Sequence, residues 1–282
     1  MTSDNSPVIA IYSRSAYPAA KVIQNAPSYL GSGINTLIIS GPNGYEGDEI
    51  EYKGSIVYNN LPFVMFDKDG SYAGDPDWSK TLSAFLTLSD ISAVYLSLGD
   101  SAVTALGNMA SKARANVMSW LKTNGFTGID LDVETQDPTD ANTQGVTRAA
   151  IKAGLKLTAA PYDPEVDWKG WCEFVTANDG TVEWLNLQCY DGGYGNNPSS
   201  WASSIPGVPI VAGIALETEP ELFPGQYDPT AAAQQFSTLQ SEMKDGTSLK
   251  GGFLWQYSFL YYHGCNFTLA RYAQAMLDGL KQ

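Results

Sequence analysis

Eight short apolar runs recur along the chain with helical patterns between them, and this alternation limits the fold more than any other feature. Val8–Ser13, Ile34–Ser40, Ile91–Gly99, Thr127–Glu134, Lys156–Tyr162, Glu183–Tyr190, Val208–Leu216 and Gly251–Tyr257 read as strands. Ala102–Lys122 places Val103, Leu106, Met109, Ala113, Val117 and Trp120 at helical spacing, and Gly125 follows as a stop. Thr139–Ala153 opens on the cap candidates Thr139 and Asp140, and Pro229–Met243 and Phe267–Leu280 also suit helices. Pro27–Ser32 closes an earlier, weaker one. Strands alternating with helices predict βα units and a parallel sheet. Eight units in 282 residues fit a closed (β/α)8 barrel. The rival is a doubly wound open sheet, which usually has fewer strands, and no GxGxxG lies between a strand and a helix here.

One region departs from the alternation. Asp48–Phe66 reads as a β-hairpin with Lys53-Gly54 at its turn, and the polar loop Asp67–Asp77 follows. Together they form an insertion after the second strand. Asp67-Lys68-Asp69-Gly70 lacks the spacing and terminal glutamate of a calcium loop, so a solvated turn is expected. No repeat, low-complexity tract or linker divides the chain, so a single domain over 1–282 and a monomer are expected.

Composition narrows the function classes. Apolar residues make up 44% and charged residues 16%, which supports a sizeable core and argues against disorder. Thirty acidic against 16 basic residues leave a net charge of −14, with a pI near 4.3. Such a chain repels phosphate backbones and anionic membrane surfaces, so neither nucleic acid nor membrane is expected as a partner. No stretch approaches about 18 consecutive apolar residues. Met1–Pro7 lacks the basic and apolar regions of a secretion signal. Cys172, Cys189 and Cys265 are too few and too scattered for a disulfide scaffold or a zinc site, though one disulfide stays open. Asn266-Phe267-Thr268 fits a glycosylation sequon, a pattern short enough to occur by chance.

The chemistry concentrates in Phe126-Thr127-Gly128-Ile129-Asp130-Leu131-Asp132-Val133-Glu134. Strand side chains alternate faces, so Asp130, Asp132 and Glu134 share one face and Ile129, Leu131 and Val133 the other. In a barrel the apolar face packs under helices, so the three carboxylates point inward. Burying unpartnered carboxylates is costly, and close like charges cannot all ionise freely. At least one should hold a proton near neutral pH, a general acid at the strand end where barrel enzymes keep their sites. The alternative is a half-exposed antiparallel strand with its acids in water. That fits the alternation equally well but not the flanking helices.

This segment resembles the DxxDxDxE signature of glycoside hydrolase family 18, found in chitinases and endo-β-N-acetylglucosaminidases. Asp130, Asp132 and Glu134 match, and Thr127 stands at the first aspartate. The departure is expected to weaken the hydrogen-bond network below Asp130. Tyr95-Leu96-Ser97-Leu98-Gly99 resembles the third-strand SxGG motif, with Asp100 replacing the second glycine. Leu157-Thr158-Ala159-Ala160-Pro161 looks like the fifth strand of small plant-type chitinases. Gln188-Cys189-Tyr190-Asp191 resembles QxYN, with Asp191 for asparagine. Gly251-Gly252-Phe253-Leu254-Trp255 resembles the run that ends in the tryptophan flooring the sugar site.

The resemblance implies a retaining mechanism in which the substrate's own 2-acetamido oxygen is the nucleophile. Glu134 would protonate the leaving oxygen and later activate water. Asp132 would orient the acetamido group, Asp130 would hold Asp132 and share its proton, and Tyr190 would hydrogen-bond the acetamido oxygen. Trp255, Gln188, Asp191 and Tyr12 are the candidate substrate-binding residues, with no metal and no organic cofactor expected. Each also has a bland reading: a core tyrosine for Tyr190 or Tyr12, a core indole for Trp255, a loop cap for Asp191. Trp168, Trp171 and Trp201 follow the fifth and sixth strands as weaker candidates for sugar platforms. His263, the only histidine, reads as a loop residue, and no nucleophile elbow accompanies it. The expected partner is an oligo- or polysaccharide containing N-acetylglucosamine, either chitin-like or the chitobiose core of N-glycans. A non-catalytic lectin or inhibitor is the rival of another class. An extracellular location is what the resemblance implies.

Overall fold

A computed structural model describes residues 6–46, 48–58, 64–193, 195–216, 228–244, 246–262 and 267–281. Eight parallel strands close into a barrel: β1 (Val8–Ser13), β2 (Thr36–Ile39), β6 (Ala93–Gly99), β7 (Gly128–Asp132), β8 (Lys156–Ala159), β9 (Val182–Gln188), β10 (Ile210–Ala215) and β11 (Gly251–Trp255). Neighbours in sequence are neighbours in the sheet, and β1 closes on β11 with Val8 opposite Gly251. The (β/α)8 expectation therefore holds. The observed strands are shorter than their apolar runs, because pairing stops where the adjacent strand stops.

The outer helices are α1 (Ala19–Tyr29), α2 (Trp78–Leu88), α3 (Asp100–Asn108), α4 (Ser111–Thr123), α5 (Ala141–Lys152), α6 (Glu165–Ala177), α7 (Pro198–Ser204), α8 (Pro229–Glu242), α9 (Phe259–Tyr262) and α10 (Leu269–Leu280). Asp140 caps α5 by accepting the Thr143 N–H at 2.6 Å, and Asp228 caps α8 in front of Pro229. Gly125, at φ +94°, ends α4 while the Phe126 N–H returns to Leu121 O, the closing bond of a Schellman motif. The predicted helix Ala102–Lys122 is in fact two, α3 and α4, broken at Met109-Ala110. Arg114 Nη1 donates to Leu106 O and Gly107 O at 3.1 and 2.7 Å, so a cation satisfies the carbonyls that end α3.

The insertion also differs from its reading. It is a three-stranded antiparallel sheet of β3 (Pro42–Gly44), β4 (Ile56–Tyr58) and β5 (Val64–Phe66). Lys53-Gly54 does sit at a turn, with Gly54 at φ +83°, but the strand before it is Pro42–Gly44, and Ile50–Tyr52 forms a 3-10 turn. Proline, asparagine and glycine are poor strand formers, so composition hides β3. Asp67 Oδ1 accepts the N–H groups of Asp69 and Ser71, so this stretch is a self-capped turn.

Two apolar layers follow from strand alternation. Ile9, Leu37, Leu96, Ile129, Leu185 and Leu254 face the helices, while Val8, Ala10, Ile38, Tyr95, Trp184, Val211 and Phe253 fill the barrel. Trp168, Trp171 and Trp201 belong to the outer layer, each about 1% exposed or less, so none is a sugar platform. Tryptophan buries a large apolar area, and helix residues beneath the surface use it that way. Cys172 and Cys189 are buried free thiols, each pushed up to about 12 by burial, while Cys265, His263 and Asn266 lie outside the described residues. Among the described residues no helix is long and apolar enough to cross a membrane.

Inside the barrel, Gly213 leaves the space that the Phe253 ring occupies. A Cβ at Gly213 would overlap that ring, and overpacking typically costs about 1–3 kcal/mol. Gly213→Ala should therefore lower Tm, and adding Phe253→Leu should recover part of the loss. Additive losses in thermal melts of the two single and the double variant would contradict this packing.

Candidate active site

The C-terminal ends of β6, β7, β9 and β11 form the floor and walls of one cleft. At its base lies Asp130, fully buried on β7. Its Oδ1 accepts Thr158 Oγ1 at 2.8 Å and Asn186 Nδ2 at 3.0 Å, and its Oδ2 accepts the Tyr12 hydroxyl at 2.9 Å and Ser97 Oγ at 3.0 Å. Asn186 in turn accepts Trp184 Nε1 at 2.9 Å. Burial raises the Asp130 carboxyl, and the four donors oppose that shift.

Thr127 is not one of these donors: they come from β1, β6, β8 and β9, while Thr127 Oγ1 accepts the Val94 N–H at 3.0 Å. Both Asp130 oxygens accept two donors each, and no hydrogen bond joins Asp130 to Asp132 in this structure.

The three acids are graded in depth rather than equally buried. Asp132 is half-buried and ends β7 opposite Gly99, and Glu134 is exposed on the turn just past the strand. Gln188 bridges them: its Nε2 donates to Ala160 O at 2.8 Å, Glu134 Oε1 at 3.2 Å and Asp132 Oδ1 at 3.4 Å. Burial pushes Asp132 well above the usual carboxylate range, reinforced by the charges of Glu134, Asp130 and Asp100 and opposed by Arg14. Asp132 thus holds its proton more tightly than an ordinary aspartate, as crowded carboxylates require.

A cavity of about 290 Å³ brings together six of the eight candidates: Tyr12, Asp132, Glu134, Gln188, Tyr190 and Trp255. The seventh, Asp130, lies beneath it. Asp191 opens the 3-10 turn Asp191–Gly193, and its side chain lies outside the described residues. Burial raises the phenols of Tyr12 and Tyr190 well above their ordinary value, so both are neutral hydroxyls. Tyr12 packs edge-on to Trp255 with ring centroids 5.5 Å apart, and the Arg14 guanidinium lies 5.5 Å from the indole centroid. A second cavity of about 240 Å³ shares Arg14, Gly99, Asp132 and Trp255 and extends toward Ser40–Asn43 at the edge of the inserted sheet.

Four residues with parts in this cleft were given no site role by the sequence, although Ser97 and Thr158 fall within its motifs: Ser97, Thr158 and Asn186 under Asp130, and Arg14 beside Trp255. Strand parity was the available signal for the first three, since Ser97 shares a face with Tyr95, Thr158 with Ala160, and Asn186 with Gln188. Arg14 follows β1 in a loop and carries no such signal. Among the described residues no cluster of three His, Cys, Asp or Glu side chains is arranged to hold a metal ion.

No protein-family model and no curated protein sequence matches the chain. Several solved structures share its fold. A chitinase from Bacteroides thetaiotaomicron is 15% identical with a TM-score of 0.57, and the match covers 96% of this chain and 97% of that one. The tamarind chitinase-like lectin is 11% identical with a TM-score of 0.50, over 96% and 99% of the two chains. A Thermobacillus composti GH10 xylanase is 10% identical with a TM-score of 0.52, over 96% and 97%. At these identities the common property is the (β/α)8 barrel.

The raised Asp132 carboxyl has a consequence for stability. Its pKa is 3.8 in an ordinary setting and higher in the fold, so its contribution is full below about that value. It is lost as pH rises through the folded pKa. Asp132→Asn should therefore raise Tm by a few degrees at pH 7, with the gain shrinking as pH falls toward 4. Melting curves showing the opposite trend with pH would contradict the assignment of a bound proton.

Proposed function

We propose that this protein is a retaining, substrate-assisted glycoside hydrolase that cuts a β-1,4 bond next to an N-acetylglucosamine, in the manner of a chitinase. One observation carries the reading. A single amide, Gln188 Nε2, reaches both Asp132 and Glu134, so the two acids stand side by side on one wall. The same cavity is lined by Tyr12, Arg14, Tyr190 and Trp255, with Asp100 as a third carboxylate. In this reading the 2-acetamido oxygen of the sugar, and no side chain of the protein, is the nucleophile.

The steps balance without a cofactor. Glu134 gives its proton to the glycosidic oxygen as the bond to the anomeric carbon breaks. The acetamido oxygen closes on that carbon from the opposite face, forming an oxazolinium ion. Asp132 holds the acetamido N–H and shares the developing positive charge, and the Tyr190 hydroxyl donates to the acetamido oxygen. Water then attacks the anomeric carbon, Glu134 takes its proton, and the ring opens with the original configuration restored. The nucleophile is tethered to the substrate, so positioning supplies much of the rate. Trp255 offers its face beneath the sugar ring, and Asp191 is a further candidate contact to the sugar.

The second cavity, beside the inserted sheet, favours one alternative: an endo-β-N-acetylglucosaminidase that accommodates a branched glycan there. A lectin-like role is the reading of another class, and the fold is shared by a chitinase-like lectin as well as by a chitinase.

Mass spectrometry of products separates these readings. Wild type and Glu134→Gln would each be incubated with chitopentaose and with a high-mannose glycopeptide. Cleavage of chitopentaose that falls by about 10²–10⁴-fold or more in Glu134→Gln, with sugar binding retained, is expected. Release of a glycan that leaves one N-acetylglucosamine on the peptide would instead identify the endoglycosidase. Binding of both sugars without cleavage would make it a lectin, and equal turnover by Glu134→Gln would overturn the assignment of the acid.

A further inference from the structure

Strand pairing does not reach Glu134. The last register pairs of β7 are Asp132 with Gly99 and Leu131 with Ala159. The segment that carries the proposed acid leaves the sheet two residues early, is exposed, and forms no regular element. Among the described residues, the N–H groups of Glu134, Thr135 and Gln136 find no backbone acceptor.

They converge instead on one side chain. Asp100 Oδ2 accepts Thr135 N at 3.1 Å, Thr135 Oγ1 at 2.9 Å and Glu134 N at 3.4 Å, and Oδ1 accepts Gln136 N at 3.3 Å. Gln136 closes the loop from its other side, with Nε2 donating to Asp100 O at 3.0 Å and to Thr104 Oγ1 at 2.7 Å. Asp100 is the first residue of α3, whose Ala102, Val103 and Leu106 are buried in the core. Its anchor is therefore rigid, and an acid in the first turn of a helix suits the helix dipole.

We propose that Asp100 is a positioning residue: its carboxylate gathers three successive backbone N–H groups and so fixes where the Glu134 carboxyl meets the substrate. The inference rests on reading Glu134 as the acid. Only a carboxylate serves here, because two acceptor oxygens must receive three amides and a hydroxyl, and an asparagine offers one. Charge-assisted hydrogen bonds are about twice as strong as neutral ones, which suits an exposed turn without sheet pairing. From this backbone the Glu134 side chain reaches Gln188 Nε2, so the acid is held at both ends. The same position in the third-strand motif holds glycine in the proteins this chain resembles, so the contact belongs to this sequence.

Hydrogen exchange by mass spectrometry and steady-state kinetics on chitopentaose test the clamp together in the full-length protein. Asp100→Ala should speed exchange across 134–136 by about tenfold or more while β7 and α5 stay protected. Its kcat should fall by roughly 10²-fold, the loss expected for an acid displaced by about 1 Å. KM should stay within about threefold, because Asp100, although it borders the cavity, acts through the turn and not on the sugar. Asp100→Asn, which keeps one acceptor oxygen, should fall between the two, and it carries the test should Asp100→Ala not fold. Unchanged exchange at 134–136, or faster exchange with wild-type kcat, would overturn the proposal. A raised KM at constant kcat would make Asp100 a substrate contact instead. If wild type cuts neither chitopentaose nor a high-mannose glycopeptide, the glycosidase reading fails, and exchange at 134–136 alone then decides whether Asp100 holds the turn.

Discussion

The cleft depends on one buried carboxylate and the four donors that surround it. Asp130 sits with no exposed surface in the barrel interior, where an unpaired charge is costly by several kcal/mol. Tyr12, Ser97, Thr158 and Asn186 offset that cost with hydrogen bonds that typically contribute about 1.5–3 kcal/mol each when one partner is charged. Each donor comes from a different strand, so the network forms only when the barrel closes. It ties β1, β6, β8 and β9 to β7 just beneath Asp132 and Glu134. The acids above it inherit a rigid floor.

Along β7 the environment changes every two residues, and the chemistry changes with it. Asp130 is saturated with donors and serves as a fixed acceptor. Asp132, one step up, has few donors and several acidic neighbours, so its carboxyl is held well above the usual range. Glu134, beyond the strand, meets solvent. Three carboxylates on and just past one strand thus sit in three environments because their depth differs, the same logic by which environment separates paired acids in enzyme sites. The arrangement strains stability in favour of chemistry, since Asp132 is held near Glu134, Asp130 and Asp100 with Arg14 as the opposing charge.

Much of this was legible from periodicity. Alternation along Gly128–Asp132 set Asp130 and Asp132 on one face, and the same parity applied to β9 brought Gln188 inward toward both acids. The barrel followed from eight βα units. What escaped was set by contacts that leave no local trace. β3 is Pro42-Asn43-Gly44, a turn-like composition drawn into a strand by its partner Ile56–Tyr58. The break between α3 and α4 depends on Arg114 reaching back to Leu106 and Gly107. Trp168, Trp171 and Trp201 follow strands as binding residues do, but their helices turn them into the outer core. Asp100 looked like a substitution in a glycine motif, and its meaning lies in a loop 34 to 36 positions away.

The sequence by itself determined the order of the barrel strands, the facing of their side chains and the presence of Asp130 and Asp132 on one face of one strand. These are local properties, encoded in residues two to four positions apart through the pleat and the helical turn. Tertiary structure decided that the Asp132 carboxyl is raised, what satisfies Asp130 and what holds the turn of Glu134. The physical reason is that desolvation and hydrogen bonding are properties of an enclosure. Tyr12 and Asp130 are 118 positions apart in the chain, and only barrel closure makes one the partner of the other.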